Sequence, residues 1–197
     1  MIFWSASFSG PKSIPGNYKV SLNKNGIKTT KTFKILIDPR SEVGLTDIQK
    51  QLDFVNTVNN TVDDAHKAIK EIRKINKKLK EFESSFSKSN SITDLVLKSK
   101  KLGQKLSNIE KALYQTQNRS NQDPLNFPIK LTNKLGHLNR LVTLNDFPPT
   151  DQDIAVRAEL TQKVEAQLKI YRFLIENDVK DFNKEFAKLE LDYLKLN

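Results

Sequence analysis

The hydrophobic pattern changes period once along this chain. Near the start it alternates: Tyr18, Val20 and Leu22 are separated by Lys19 and Ser21, and Phe33, Ile35 and Ile37 repeat the pattern with Lys34 between. A period of two belongs to a strand with one buried face. Asn23-Lys24-Asn25-Gly26 lies between the runs, and Asn-Gly supplies the positive φ angles of a tight reversal. The pattern predicts a β-hairpin, 17–23 paired with 27–37. Pro15-Gly16 opens it and Asp38-Pro39-Arg40 closes it, because proline neither donates to a ladder nor lets its predecessor turn helical. Ile2-Phe3-Trp4 with Phe8 can add one short strand.

From about residue 46 the period becomes helical. Thr46 with Asp47 offers an N-cap and an acidic first turn. Val55, Val58, Val62, Ala65, Ile69 and Ile72 then follow 3-4 spacing, continued by Leu79 and Phe86. That stripe implies a rod of ~60 Å. Residues 84–90 break it. Ser91 with Asp94 resembles a capping box, and Leu95, Leu102, Leu106, Ile109 and Leu113 carry a second helix to about 117. A polar loop covers 118–127. Ile129, Leu131, Leu135, Leu138 and Val142 mark a short third helix, stopped by Asp146-Phe147-Pro148-Pro149. Thr150, with Asp153 three residues on, caps a fourth. Its stripe runs through Leu160, Val164, Leu168, Tyr171, Ile175, Phe182, Phe186, Leu189 and Tyr193, with no glycine or proline in 150–197.

These elements predict a mainly α fold: a β-hairpin segment over 1–44, then an antiparallel up-down four-helix bundle over 45–197. In that topology the fourth helix runs back, and Leu189, Leu191, Tyr193 and Leu194 end near the hairpin. A lone hairpin is marginal in water unless another layer covers its apolar face. Tyr18, Val20, Leu22, Phe33, Ile35 and Ile37 are therefore the candidate interaction residues.

Composition narrows the chemistry. The chain has 197 residues, no Cys and two His. A disulfide framework, a thiolate metal site and a cysteine nucleophile are thereby excluded. No stretch approaches the ~18 apolar residues of a membrane span, and the first residues are too few, and lack a basic leader, for a secretory signal. His66 lies beside the first helix's apolar stripe, where an interface or surface histidine is the plainer reading. His137 has no acidic partner at helical spacing. Asp63-Asp64 and the acidic residues of 176–190 read as solvated partners for nearby lysines, as with Asp181 and Glu185 beside Lys184 and Lys188. The six glycines form no phosphate-cradling loop. No catalytic residue, cofactor or metal is expected.

Net charge is +10, with +5 over 1–44 and −2 over 150–197. The densest clusters are Lys67, Lys70, Arg73, Lys74, Lys77, Lys78 and Lys80, then Lys98, Lys100, Lys101 and Lys105. Such charge can contact nucleic acid or another polyanion. Lysine far outnumbers arginine, however, few aromatics interleave, and no helix-turn-helix or RNA module is visible. A solvated face is the simpler account.

The hairpin carries one further signal. Gly10-Pro11, Pro15-Gly16-Asn17-Tyr18-Lys19-Val20-Ser21-Leu22, Asn25-Gly26 and Phe33-Lys34-Ile35-Leu36-Ile37-Asp38-Pro39-Arg40 form a motif. It resembles the C-terminal region of bacterial sortilin-like, BNR-repeat β-propeller proteins, often labelled glycosyl hydrolases. In that family the motif ends a β-sandwich-like segment, and a helical tail with a recurring leucine pattern follows. Here that pattern is Pro128-Ile129-Lys130-Leu131-Thr132-Asn133-Lys134-Leu135-Gly136-His137-Leu138, followed by Pro149-Thr150. The propeller itself is missing, so no glycosidase activity is carried over. The resemblance implies a C-terminal accessory fragment of a secreted or envelope-associated parent. The partner expected for the hairpin is the rest of that parent or a second copy in a homodimer.

Overall fold

The computed structural model describes residues 10–86, 92–120 and 122–189. Its elements follow the change of period. Strands β1 (Gly16–Lys24) and β2 (Ile27–Ile35) pair antiparallel as a two-stranded sheet. Asn25 and Gly26 join them with φ of 52° and 83°, two successive positive values that a two-residue hairpin loop with native twist requires. That turn sets the register: Tyr18 faces Phe33, Val20 faces Lys31, Leu22 faces Thr29 and Lys24 faces Ile27.

Four helices follow. They are α1 (Leu45–Ser85), α2 (Thr93–Leu113), α3 (Leu131–Val142) and α4 (Asp151–Leu174), the last continuing through a π-helical turn (Ile175–Val179) into α5 (Lys180–Ala187). The protein is thus a hairpin followed by a four-helix bundle. Its core is the stripe residues: Val58, Ala65 and Ile72 of α1, Leu106 and Leu113 of α2, Leu135 of α3 and Val164 of α4 are all fully buried. The π turn has a packing reason. Leu174, Phe182 and Phe186 face the bundle although eight residues separate the first two, where two α-helical turns take only ~7.2. The wider turn absorbs the surplus residue. Phe82 of α1 then meets Phe182 and Phe186 edge-on, at centroid distances of 5.4 and 5.7 Å.

Helix directions depart from a strict up-down order. Asn76 of α1 donates to Ser107 of α2 and Arg73 to Glu110, so α2 runs against α1. α3 runs the same way as α2. It begins where the Thr132 hydroxyl donates to the Leu113 carbonyl at 2.9 Å, and reaches Val55 and Asn59 of α1 through Asn139. α2 and α3 are therefore two segments of one interrupted rod. α4 reverses again: Arg157 lies over Phe54, Tyr171 meets Glu71, and Phe182 meets Phe82. The fourth helix thus runs parallel to α1 and away from the hairpin, correcting the expectation that its end returns there. Leu191, Tyr193 and Leu194, like the possible strand at Ile2–Trp4 with Phe8, lie outside the described residues.

The helix ends differ in part from expectation. Thr150 and Asp153 form a reciprocal capping box on α4. α1 instead starts one residue before Thr46, with Gly44 as an N-cap that makes no side-chain hydrogen bond, while Asp47 sits in the acidic first turn. The N-cap of α2 is Ile92, and Ser91 lies outside the described residues. α2 stops at Leu113, because Tyr114 turns extended and Gln115 folds into the connection, donating to the Pro128 carbonyl at 2.7 Å.

Candidate functional site: an uncovered hairpin face

The register divides the hairpin into two unlike faces. One carries Tyr18, Val20, Leu22, Ile27, Phe33 and Ile35, together with Lys24 and Lys31; the other carries Lys19, Ser21, Lys28, Thr30, Thr32 and Lys34. On the polar face the Ser21 and Thr30 hydroxyls hydrogen-bond across the strands at 2.8 Å. The apolar face is largely open. Val20 is 57%, Leu22 69%, Ile27 74% and Phe33 49% exposed.

Among the described residues neither strand packs along a helix. The hairpin instead meets the bundle at its base. Tyr18 stacks on Phe33 with centroids 5.7 Å apart, and its hydroxyl donates to the Ile14 carbonyl at 2.6 Å. Ile35 and Ile37 are half-buried where the chain leaves β2 and border a cavity of about 220 Å³ with Ile48, Leu52 and Val55 of α1. Lys12 and Asp146 span the same junction at 3.0 Å. That pair is well exposed and worth little on its own. Beneath it Gln51, 5% exposed, donates from Nε2 to the carbonyls of Val142, Asn145 and Phe147, stitching α1 to the α3–α4 connection.

The six residues singled out by alternation therefore divide. Val20, Leu22 and Phe33 stand open on the projecting part, whereas Tyr18, Ile35 and Ile37 are partly sheltered at the base. Ile27 is an additional face residue, more exposed than any of them. Its signal lay in the two-residue turn, which places Ile27 opposite Lys24 and on the side of Leu22.

The other candidates have structural surroundings. His66 is half-buried between α1 and α2, edge-on to Tyr114 at 6.2 Å, and burial holds its imidazole below the ordinary range. Among the described residues its Nε2 has no hydrogen-bond partner. Arg73 lies 5.4 Å over the same Tyr114 ring while donating to Glu110 at 2.7 Å. Arg73, Glu110 and Tyr114, with Lys111 and Arg119, border an open groove of about 490 Å³. Tyr171 gives its hydroxyl proton to a hydrogen bond with Glu71, and burial followed by that carboxylate raises its pKa well above normal. His137 is exposed on α3. Asp64 pairs with Lys67, and Asp181 with Lys184, as their spacing suggests. Glu185 instead reaches Lys98 of α2, and Asp178 reaches Lys105. Five members of the two basic clusters, Lys67, Arg73, Lys77, Lys98 and Lys105, are thus tied to carboxylates.

Among the described residues, no three His, Asp or Glu side chains gather where a metal ion would sit, and no helix is long and apolar enough to cross a membrane. The chain matches no family model, no curated protein and no solved structure.

Proposed function

We propose that this protein is a non-catalytic structural or protein-interaction module whose contact element is the hairpin. One observation carries the reading: a sheet of two strands presents four large apolar side chains to water on one face while a complete core lies elsewhere in the same chain. Open sheet faces of this kind are covered in working assemblies. Among the described residues both outer strand edges are unpaired as well, and an unpaired edge recruits a strand through its main-chain groups. The motif resemblance supports the same reading. It supplies an occupant, the remaining sheet of a secreted or envelope-associated propeller parent, with a second copy as the other option.

Two measurements test this. The genomic reading frame is expected to continue upstream of Met1 into propeller-like repeats; a stop codon there overturns the parentage. A segment produced from that upstream frame is expected to bind the full chain and to lose binding with Val20→Ser/Leu22→Ser. Unchanged binding by that variant removes the hairpin as contact element.

A second reading, binding of nucleic acid or another polyanion, is favoured by Lys19, Lys28 and Lys34 sharing the polar face. It leaves the apolar face uncovered. Its test is association with duplex DNA that falls steeply between about 50 and 200 mM salt; no association at low salt retires it.

A further inference from the structure

The charge on the hairpin selects between its possible occupants. No Asp or Glu occurs anywhere from Gly10 to Ile37, whereas Lys19, Lys24, Lys28, Lys31 and Lys34 fall within the two strands and the turn. Among the described residues none of these five forms an ion pair. Two of them, Lys24 and Lys31, belong to the apolar face itself. Lys31 stands directly across from Val20, and Lys24 across from Ile27. A flat surface laid over Val20, Leu22 and Ile27 therefore also lies against the side chains of Lys24 and Lys31.

Covering an ammonium group without a counter-charge is strongly unfavourable, and satisfying it requires an opposing carboxylate within hydrogen-bond reach. A second copy of the hairpin brings none. Face to face it adds lysines to lysines. Edge to edge it aligns two strands that hold only cations, and like charges in adjacent strands repel. Lysines of this kind are a recognised means by which natural sheet edges avoid self-association. A bilayer is a poorer occupant too, because the unpaired edge N–H and C=O groups of two strands find no partner in hydrocarbon. Another strand satisfies the edge, the apolar face and the cations together.

We infer that the hairpin docks a β-strand of another polypeptide, apolar on one side and bearing carboxylates where it passes Lys24 and Lys31, and that these two lysines exclude a second copy of this chain. The inference rests on the hairpin being the contact element and names the chemistry of what it contacts. It also decides between the occupants: a segment of different sequence is accepted and the homodimer is disfavoured.

The full chain supplies its own probe. The Lys24→Glu/Lys31→Glu double variant keeps the same ribbon and the same apolar side chains, but carries carboxylates at the two face positions. Both substitutions are at exposed sites, so the bundle is expected to fold unchanged. Sedimentation velocity is run on the wild type, the double variant and their equimolar mixture. The expected result is a mixture that associates at least about tenfold more tightly than either chain alone. That association is expected to weaken in about 1 M salt and to be lost when both chains carry Val20→Ser/Leu22→Ser. Wild-type self-association as tight as the mixture overturns the charge rule while leaving the interaction module standing. No association in the mixture, with both hairpins shown intact by cross-strand nuclear Overhauser contacts between Tyr18 and Phe33, overturns the acidic-strand occupant. Wild-type binding to phosphatidylglycerol vesicles that is lost with Val20→Ser/Leu22→Ser overturns it in favour of a bilayer. A mixture whose association survives the serine substitutions overturns the premise instead, because the contact then lies off the hairpin.

Discussion

Tyr18 and Phe33 face each other across the hairpin with their rings 27° from parallel, and they mark the line where the hairpin stops being supported. On one side, Tyr18 is anchored to Ile14, and Ile35 and Ile37 share a cavity wall with α1. On the other side, Val20, Leu22 and Ile27 have only the opposite strand among the described residues. Cross-strand pairs of this kind contribute roughly 0.2–1 kcal/mol each, too little for a two-stranded ribbon to hold itself firmly.

Stability should therefore be insensitive to the projecting face. Leu22→Ser is expected to shift the unfolding free energy of the isolated chain by less than about 0.5 kcal/mol, as at other exposed sites. Ile72→Ala, at a site with no exposure, is expected to cost about 2–5 kcal/mol. Urea titration followed by helical circular dichroism measures both. A large loss from Leu22→Ser would show that the face is already covered.

Gln51 is expected to be the costliest polar residue at the hairpin junction. Its one amide nitrogen donates to the Val142 carbonyl at the end of α3 and to those of Asn145 and Phe147 in the connection beyond it. Gln51→Met fills similar space but leaves those acceptors without that donor. A cost of about 1–3 kcal/mol follows from the stranded buried carbonyl of Val142, read as a lower urea midpoint with an unchanged slope.

Loss of the capping box on α4 gives a smaller effect. Thr150→Ala removes the hydroxyl that accepts from the Asp153 N–H, and should cost about 0.5–2 kcal/mol. Thr150→Ser should recover most of it. Equal midpoints for wild type and Thr150→Ala would mean that packing alone holds the helix start.

His66 makes the fold sensitive to acid. Burial, opposed by Asp63 and reinforced by Lys70 and Arg73, lowers its pKa in the folded chain, so the unfolded chain binds the proton more readily. The neutral form's contribution is complete above the unfolded value of about 6.5 and is lost as pH falls through it. Urea midpoints of wild type and His66→Gln, compared at pH 7.5 and 5.5, should show the smaller pH dependence in the variant. An identical pH dependence would remove His66 as the cause.

Much of this architecture could be read from residue order, and the exceptions have identifiable causes. Asn25-Gly26 announced the reversal and, with alternation, most of the exposed face. The 3-4 stripes announced each helix, since inward positions such as Val58, Ile72, Leu106 and Val164 fall on them. Helix direction was not legible. It depends on the connection between Tyr114 and Lys130, where Gln115 binds the Pro128 carbonyl and Thr132 binds that of Leu113, so α3 continues α2 instead of reversing. Those are single side-chain contacts to backbone, with no periodicity to reveal them. The ion pairs Lys98–Glu185 and Lys105–Asp178 were hidden for the same reason, because they join helices whose juxtaposition follows from that connection.

Amide hydrogen exchange on the isolated full chain addresses the central claim most directly. The account predicts that Val20, Leu22, Thr29 and Lys31 exchange near unprotected rates at neutral pH, while Val58, Ile72 and Leu106 are protected by several orders of magnitude. Strand amides protected as strongly as those of α1, in a chain that sediments as a monomer, would contradict it.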